Sequence, residues 1–295
     1  MFIDKNKEIK KESSDFLLEI NNLEIHGLSE KGWLEIVRGV DLKLKRGEIL
    51  GLIGESGAGK STIGLAAMGY ARDGCKINSG EIIFNGIDLL KASESEKRKI
   101  RGNKISYVAQ SAAAAFNPAH RLLDQFTEAP VDHGIMTKVA SKEKGRSIYR
   151  TLDLPDPDHI GDRWPHQVSG GQLQRMMVAM ALSCEPDLII FDEPTTALDV
   201  TTQIEVLKTI KEVVTSKNVA AIYITHDLAV VAQLADHLMV LRYGNLIEEN
   251  KTVSILNNPQ MEYTRALLDA RKRHEKRVIQ NKNKDTLLKI NSITA

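Results

Sequence analysis

Two cysteines in 295 residues, Cys75 and Cys184, are too few for a disulfide framework. Long apolar runs are missing too. The best candidate, AVVAQLADHLMVL at 229–241, is interrupted by Gln233, Asp236 and His237 and falls short of the roughly 20 apolar residues a membrane-crossing helix needs. Charge of one sign is also absent: Lys+Arg 40 against Asp+Glu 39 leaves +1, which offers nucleic acid no basic face. The opening MFIDKNKEIKKESS lacks the apolar core of a secretory signal. These absences predict a cytoplasmic protein that does not cross a bilayer by itself and has no nucleic acid as partner. What remains, 42% hydrophobic and 27% charged residues, is ordinary for a globular chain with a substantial core.

Organisation follows from periodicity. Residues 1–15 are mostly charged or polar and are expected to be disordered. From Phe16 onward, FLLEINNLEI and VDLKLKRGEI alternate apolar with polar residues as half-buried strands do. EILGLIG at 48–54 is a short buried strand that runs into a glycine-rich loop, and Ile63, Leu65, Ala66, Ala67 and Met68 then follow as a packed helix. GEIIFNGIDL at 80–89 predicts paired strands turning at Asn85-Gly86, and KISYVAQ at 104–110 another strand. A helical insertion starts at residue 111, with helices in LLDQFTEAPV and KGRSIYRTLDL and turns through LPDPDHIGDRWPHQ. SGGQLQRMMVAMALSC reads as a helix, PDLIIFDE as a buried strand, and VTTQIEVLKTIKEVVTS as a helix with Leu207, Ile210 and Val214 on one face. AAIYITHD and HLMVLRYGNLIEEN supply further strands. Such alternation predicts an α/β fold with a mostly parallel sheet and helices on both sides. The basic tail from Arg271 reads as a solvated helix end.

The chemistry gathers at strand ends. In Gly54, Glu55, Ser56, Gly57, Ala58, Gly59, Lys60, Ser61 and Thr62, the glycines let the backbone wrap phosphate oxygens while the following helix points free N–H groups at them. Lys60 is expected to reach the β and γ phosphates of ATP and Ser61 to offer its hydroxyl to magnesium. Alone, this pattern also fits a small-molecule kinase or a GTPase. LIIFDE delivers Asp192 and Glu193 at the sheet's C-terminal edge beside that loop, Asp192 for magnesium and Glu193 to polarise the attacking water. His226 ends the next buried strand, within reach of the γ phosphate, and Gln110 ends another, where its amide can contact magnesium or the attacking water. A solvated cap, a packed histidine and an idle glutamine are the bland alternatives for these groups. Ser169, Gly170, Gly171 and Gln172 open a helix with Ser169 as N-cap, which places a second dipole end and unhindered backbone before an anion.

Phosphate loop, SGGQ and acidic strand end, in that order, resemble the ATP-binding-cassette ATPases from about Phe16 to Ala270. The resemblance implies a P-loop cassette with a RecA-like core, an antiparallel β subdomain and an inserted helical subdomain at about 111–185. It places the ATPase domain at 16–255 and a C-terminal extension at 256–295. RWPHQVSGGQLQRMMVAMALSCEPDLIIFDEPTTALDV is especially similar to the subunits that power oligopeptide, dipeptide and nickel importers, and EYTRALLDA at 262–270 resembles the start of their extension. His226 matches the family's switch histidine, and SAAAAFNP its segment after the glutamine. Ser169–Gln172 resemble the element the family sets against ATP on the opposite subunit, and Asp199 the loop that crosses that interface. The implied partners are a second cassette, integral membrane permease subunits and, indirectly, an extracytoplasmic solute-binding protein, with the chain peripheral on the cytoplasmic face of the cell membrane. A soluble ATPase of a phosphonate carbon–phosphorus cleavage complex is the alternative.

Two departures stand out. No cysteine follows Cys184, so the cysteine cluster often found after the extension, and with it an iron–sulfur site, is not expected. The aromatic residue on which adenine stacks in the family falls near Gly27, which cannot stack, leaving Trp33 as the candidate.

Overall fold

The computed structural model describes residues 15–195, 198 and 200–270. The opening segment, the basic tail and Asp199 lie outside the described residues. The alternation after Phe16 becomes two long antiparallel strands, β1 (Leu18–Ser29) and β2 (Gly32–Leu44), which bury Leu18, Ile20, Leu23 and Ile25 on one face. β3 (Ile49–Ile53) leaves that sheet and leads through the glycine-rich loop into α1 (Lys60–Ala66). β4 (Cys75–Phe84) returns to pair with β1, and β5 (Ile87–Asp88) folds back on it after the turn at Asn85-Gly86. The result is a four-stranded antiparallel sheet ordered β2-β1-β4-β5.

A second sheet has six strands. After α2 (Glu94–Ile100) come β6 (Ile105–Val108), α3 (Ala112–Ala115), α4 (Leu122–Asp132) and α5 (Lys138–Thr151). Two short 3-10 turns, Ile160–Asp162 and Pro165–Gln167, occupy the proline-rich stretch ahead of α6 (Gly170–Ala181). Then follow β7 (Leu188–Asp192), α7 (Val200–Lys217), β8 (Ala220–Ile224), α8 (Leu228–Leu234), β9 (His237–Arg242), β10 (Asn245–Lys251) and α9 (Thr252–Asn257). The order is β10-β9-β3-β8-β7-β6, parallel except for β10. Every residue of β3, β7 and β8 is buried, as expected of short, wholly apolar strands covered on both faces.

Helices lie on both sides, as expected, but the two covers differ: on one face helices alone, on the other α1 together with the antiparallel sheet. One face, with Ile189, Phe191 and Tyr223, packs on Met176 and Met177 of α6, Leu207, Ile210 and Val214 of α7, and Val231 of α8. The other, with Leu52, Ile190, Ile222 and Ile224, packs on Ile63 and Ala66 of α1 and on Ile20, Leu42 and Ile82 of the antiparallel sheet. A half-buried strand can cover a neighbouring sheet as well as a helix can. The run at 229–241 is divided between α8 and β9, and no helix among the described residues is long and apolar enough to cross a membrane.

Two local features were not anticipated. Ser93 and Glu96 close a capping box at the start of α2, with Glu96 Oε2 accepting from Ser93 N at 2.8 Å. Glu248 of β10 accepts from the amides of Gln260 and Met261 at 2.8 and 3.2 Å, anchoring the chain where residues 262–270 become helical. Burial alone would raise this carboxyl, yet the hydrogen bonds it receives outweigh that cost and hold it below the usual carboxylate range.

Candidate nucleotide site

β3 ends at Ile53, and the next residues turn tightly because glycine allows it. Gly54 and Gly59 have φ of 149° and 94°. A Cβ on Gly54 would stand 2.2 Å from the Leu241 carbonyl oxygen of β9, and one on Gly59 3.0 Å from that of Ile36 in β2. Gly54 therefore needs glycine for space as well as for backbone conformation, whereas at Gly59 the fit is tight and the backbone conformation decides. The turn holds a cavity of about 230 Å³ lined by Ser56, Gly57, Gly59, Lys60, Ser61, Thr62, Gln110 and Glu193. That is below the roughly 300–1,000 Å³ of pockets that enclose a whole small molecule, and suits a phosphate chain better than a complete nucleotide.

Lys60 lies under the loop, 6% exposed, its ammonium donating to the carbonyls of Gly54 and Glu55 at 2.8 and 2.9 Å. Desolvation lowers its pKa, against the opposing pull of the Glu193 and Asp192 carboxylates. Behind the loop, Tyr263 stacks on the Arg242 guanidinium at 4.5 Å and buries its hydroxyl against the Glu55 backbone, without a hydrogen bond of ordinary geometry.

β7 brings the two acids to the same edge. Asp192, 5% exposed, accepts from Ser61 Oγ at 2.8 Å through one oxygen and from the Tyr107 hydroxyl at 2.5 Å through the other. Glu193 stands just past the strand at φ 47°, a left-handed conformation that costs a residue with a Cβ about 1–2 kcal/mol. Its amide donates to Ile224 O of β8 at 2.9 Å, which pins the turn. Its carboxylate meets Gln110 Nε2 at 3.2 Å and His226 Nδ1 at 3.1 Å, one on each oxygen. His226 is itself fixed by its neighbours, since Thr225 Oγ1 accepts from Asp227 N and Asp227 caps α8. Three groups chosen separately from the sequence, Glu193, His226 and Gln110, thus form one cluster.

The SGGQ element lies elsewhere. Ser169 Oγ accepts from Gln172 N at 3.3 Å and Gln172 Oε1 from Ser169 N at 3.0 Å, a closed capping box on α6. Gly171 is pressed on α7, where an added Cβ would come within 2.3 Å of Thr202 Cγ2, whereas Gly170 has open space in front of it. None of the four lines the phosphate cavity. Trp33 is 47% exposed in β2, with the Lys76 ammonium 4.3 Å over its ring, and it also lies outside the cavity lining. Tyr107 and Tyr263 were missed by sequence reasoning, because a strand or helix tyrosine carries no motif that marks its reach.

A glycine-walled phosphate turn, a buried lysine beneath it and a carboxylate pair at the end of the next strand but one define a P-loop ATPase. A model described as ABC transporter matches residues 37–196. The chain is 41% identical over 253 residues to the dipeptide transport ATP-binding protein DppD of Bacillus subtilis (strain 168), covering 85% of this chain and 76% of that protein. Identity to the Escherichia coli (strain K12) protein of the same name is 37% over 254 residues, covering 86% and 78%. Among solved structures, the cassette MJ0796 in a dimeric post-hydrolysis state bound to ADP and Pi superimposes with a TM-score of 0.71 at 25% identity, covering 80% of this chain and 98% of that one. This chain belongs to the ABC transporter family, as an ATP-hydrolysing cassette.

Gly54→Ala tests the loop geometry. With backbone rather than a flexible side chain in the way, we expect at least tenfold weaker binding of trinitrophenyl-ATP in a fluorescence titration; parent-like affinity contradicts the close approach to Leu241.

Proposed function

We propose that the chain is the ATP-hydrolysing subunit of an importer for peptides, with residues 16–255 as the cassette, 111–185 as its helical subdomain and 256–295 as an extension. The observation that carries the catalytic reading is the Glu193 carboxylate, held at both oxygens by Gln110 and His226 on the wall of the phosphate cavity. Relatives named for dipeptide and oligopeptide transport support peptides as the solute. No observation favours the carbon–phosphorus cleavage alternative.

In this reading residues 54–62 bind the triphosphate and Lys60 turns from its own loop carbonyls to the β and γ phosphates. Glu193 takes the proton of the attacking water, with its carboxylate rotation fixed by Gln110 and with His226 beside the γ phosphate. General-base action of this kind is worth about 10²–10⁴ in rate, roughly 3–5.5 kcal/mol of barrier. The hydroxyl of Ser61 and the carboxylate of Asp192 are hard oxygen donors 2.8 Å apart, a set that suits magnesium, with Gln110 near enough to join it. A magnesium ion held by these residues would supply positive charge to offset that of the β and γ oxygens. Trp33 offers a ring face for adenine.

None of Ser169–Gln172 lines the phosphate cavity of its own chain, so in this reading each cassette holds half of two sites, and a second cassette completes them with Asp199 at the crossing. Gln110 opens the helical subdomain, through which closure of the pair acts on integral membrane permease subunits fed by a solute-binding protein outside. The chain then sits peripherally on the cytoplasmic face of the membrane.

Glu193→Gln is expected to keep ATP affinity while phosphate release falls about 10²–10⁴-fold; near-normal turnover removes Glu193 from this role. The same titration on Trp33→Ala reads weaker binding, and an unchanged affinity removes Trp33. Affinity capture from detergent-solubilised cells is expected to recover integral membrane subunits, whereas recovery of soluble enzymes alone contradicts the importer.

A further inference from the structure

The buried Asp192 carboxylate is gripped from two directions, and only one of them belongs to the phosphate loop. Ser61 Oγ donates to one oxygen at 2.8 Å, and the hydroxyl of Tyr107 to the other at 2.5 Å. Strand register explains the second grip. Tyr107 of β6 pairs with Ile190 of β7, and because side chains alternate along a strand, Ile190 and Asp192 share the face that packs on α1. A phenol is long enough to span the step from the paired position to the end of the neighbouring strand. Leu, Val or Ile at 107 would fill the same face without reaching the acid.

The same short segment also holds the second acid, since Gln110 Nε2 reaches Glu193 Oε2 at 3.2 Å. Residues 107 and 110 therefore clamp the two consecutive carboxylates in turn.

We propose that Tyr107 is a positioning residue for the metal-binding carboxylate, fixing the rotation of Asp192 so that its other oxygen stays aimed at the Ser61 side of the cavity. The inference rests on the assignment of Asp192 to magnesium made above. If Ser61 turned its oxygen toward a cation its proton would no longer serve Asp192, whereas the Tyr107 bond, on the other oxygen, would remain available. Without that bond the carboxylate rotates freely and a buried oxygen loses its donor. The segment that carries Tyr107 continues into α3 and the rest of the helical part, so a shift there moves both carboxylates together.

The test is Tyr107→Phe on the full chain, read without catalysis. Trinitrophenyl-ATP affinity is titrated in EDTA and across a magnesium series, and manganese binding in the presence of a non-hydrolysable ATP analogue is followed by electron paramagnetic resonance. We expect EDTA affinity within twofold of the parent and metal affinity lower by about 10–100-fold, the range typical of removing an outer hydrogen-bond partner of a metal ligand. Unchanged metal affinity overturns the proposal. Asp192→Asn separates the two readings: if it weakens metal binding while Tyr107→Phe does not, only the role of Tyr107 falls; if neither does, the assignment of Asp192 falls and the proposal with it. Tyr107→Met carries the same expectation through a flexible apolar chain, so a folding defect peculiar to the phenylalanine does not shield the idea.

Discussion

The parallel register of β3, β8 and β7 is the constraint on which the rest depends. Leu52 pairs with Ile224 and Asp192 with the same residue from the other side, so the phosphate loop, the acid pair and His226 leave the sheet at one level. A one-residue slip would turn Asp192 to the opposite face and carry Glu193 away from the cavity. All five positions of each strand are buried, which makes any slip expose a polar group to a packed core and holds the register firmly.

Given that edge, the site is assembled by side chains from outside the central strands. β6 contributes Tyr107 to Asp192, the bend after it Gln110 to Glu193, α1 contributes Ser61, and the turn after β8 contributes His226. Glu193 tolerates its left-handed backbone because its amide is tied to Ile224 and its carboxylate is held at both oxygens, so the strain is local and outweighed. The chain's far end is also engaged. Glu248 fixes the start of the last described helix, and that helix presses Tyr263 on the backbone of Glu55 in the phosphate loop. Contacts thus reach the cavity from the helical part, through Gln110, and the loop that walls it from the C-terminal segment, through Tyr263.

Much of this was legible because it is written locally. A glycine loop between an apolar strand and a helix, or two acids after four apolar residues, needs only covalent neighbours to be recognised, and their meeting follows from the parallel topology. The SGGQ element reads as a helix start with Ser169 as cap, and Ser169 caps α6, with Gln172 closing a capping box beyond that expectation. Period-two alternation also located β1, β2 and β4, but it gives a strand's buried face and not what that face covers, so where the antiparallel sheet packs, on the central sheet beside α1, was not legible from it. Tyr107 escaped for a related reason: alternation assigns its side of the sheet, while its bond to Asp192 depends on the neighbouring strand and on the length of a phenol. Glu248, in a partly exposed edge strand, looks like any surface acid until residues 259–261 fold over it.

The central claim is that hydrolysis takes place between two cassettes, because the phosphate cavity and Ser169–Gln172 do not meet within one. Sedimentation of Glu193→Gln with saturating Mg-ATP tests it most directly. The account predicts a nucleotide-dependent species of twice the chain's 32.8 kDa, or of this chain plus a cassette captured with it. A particle that stays at the mass of one chain with nucleotide bound, alone and with every cassette so captured, would contradict it.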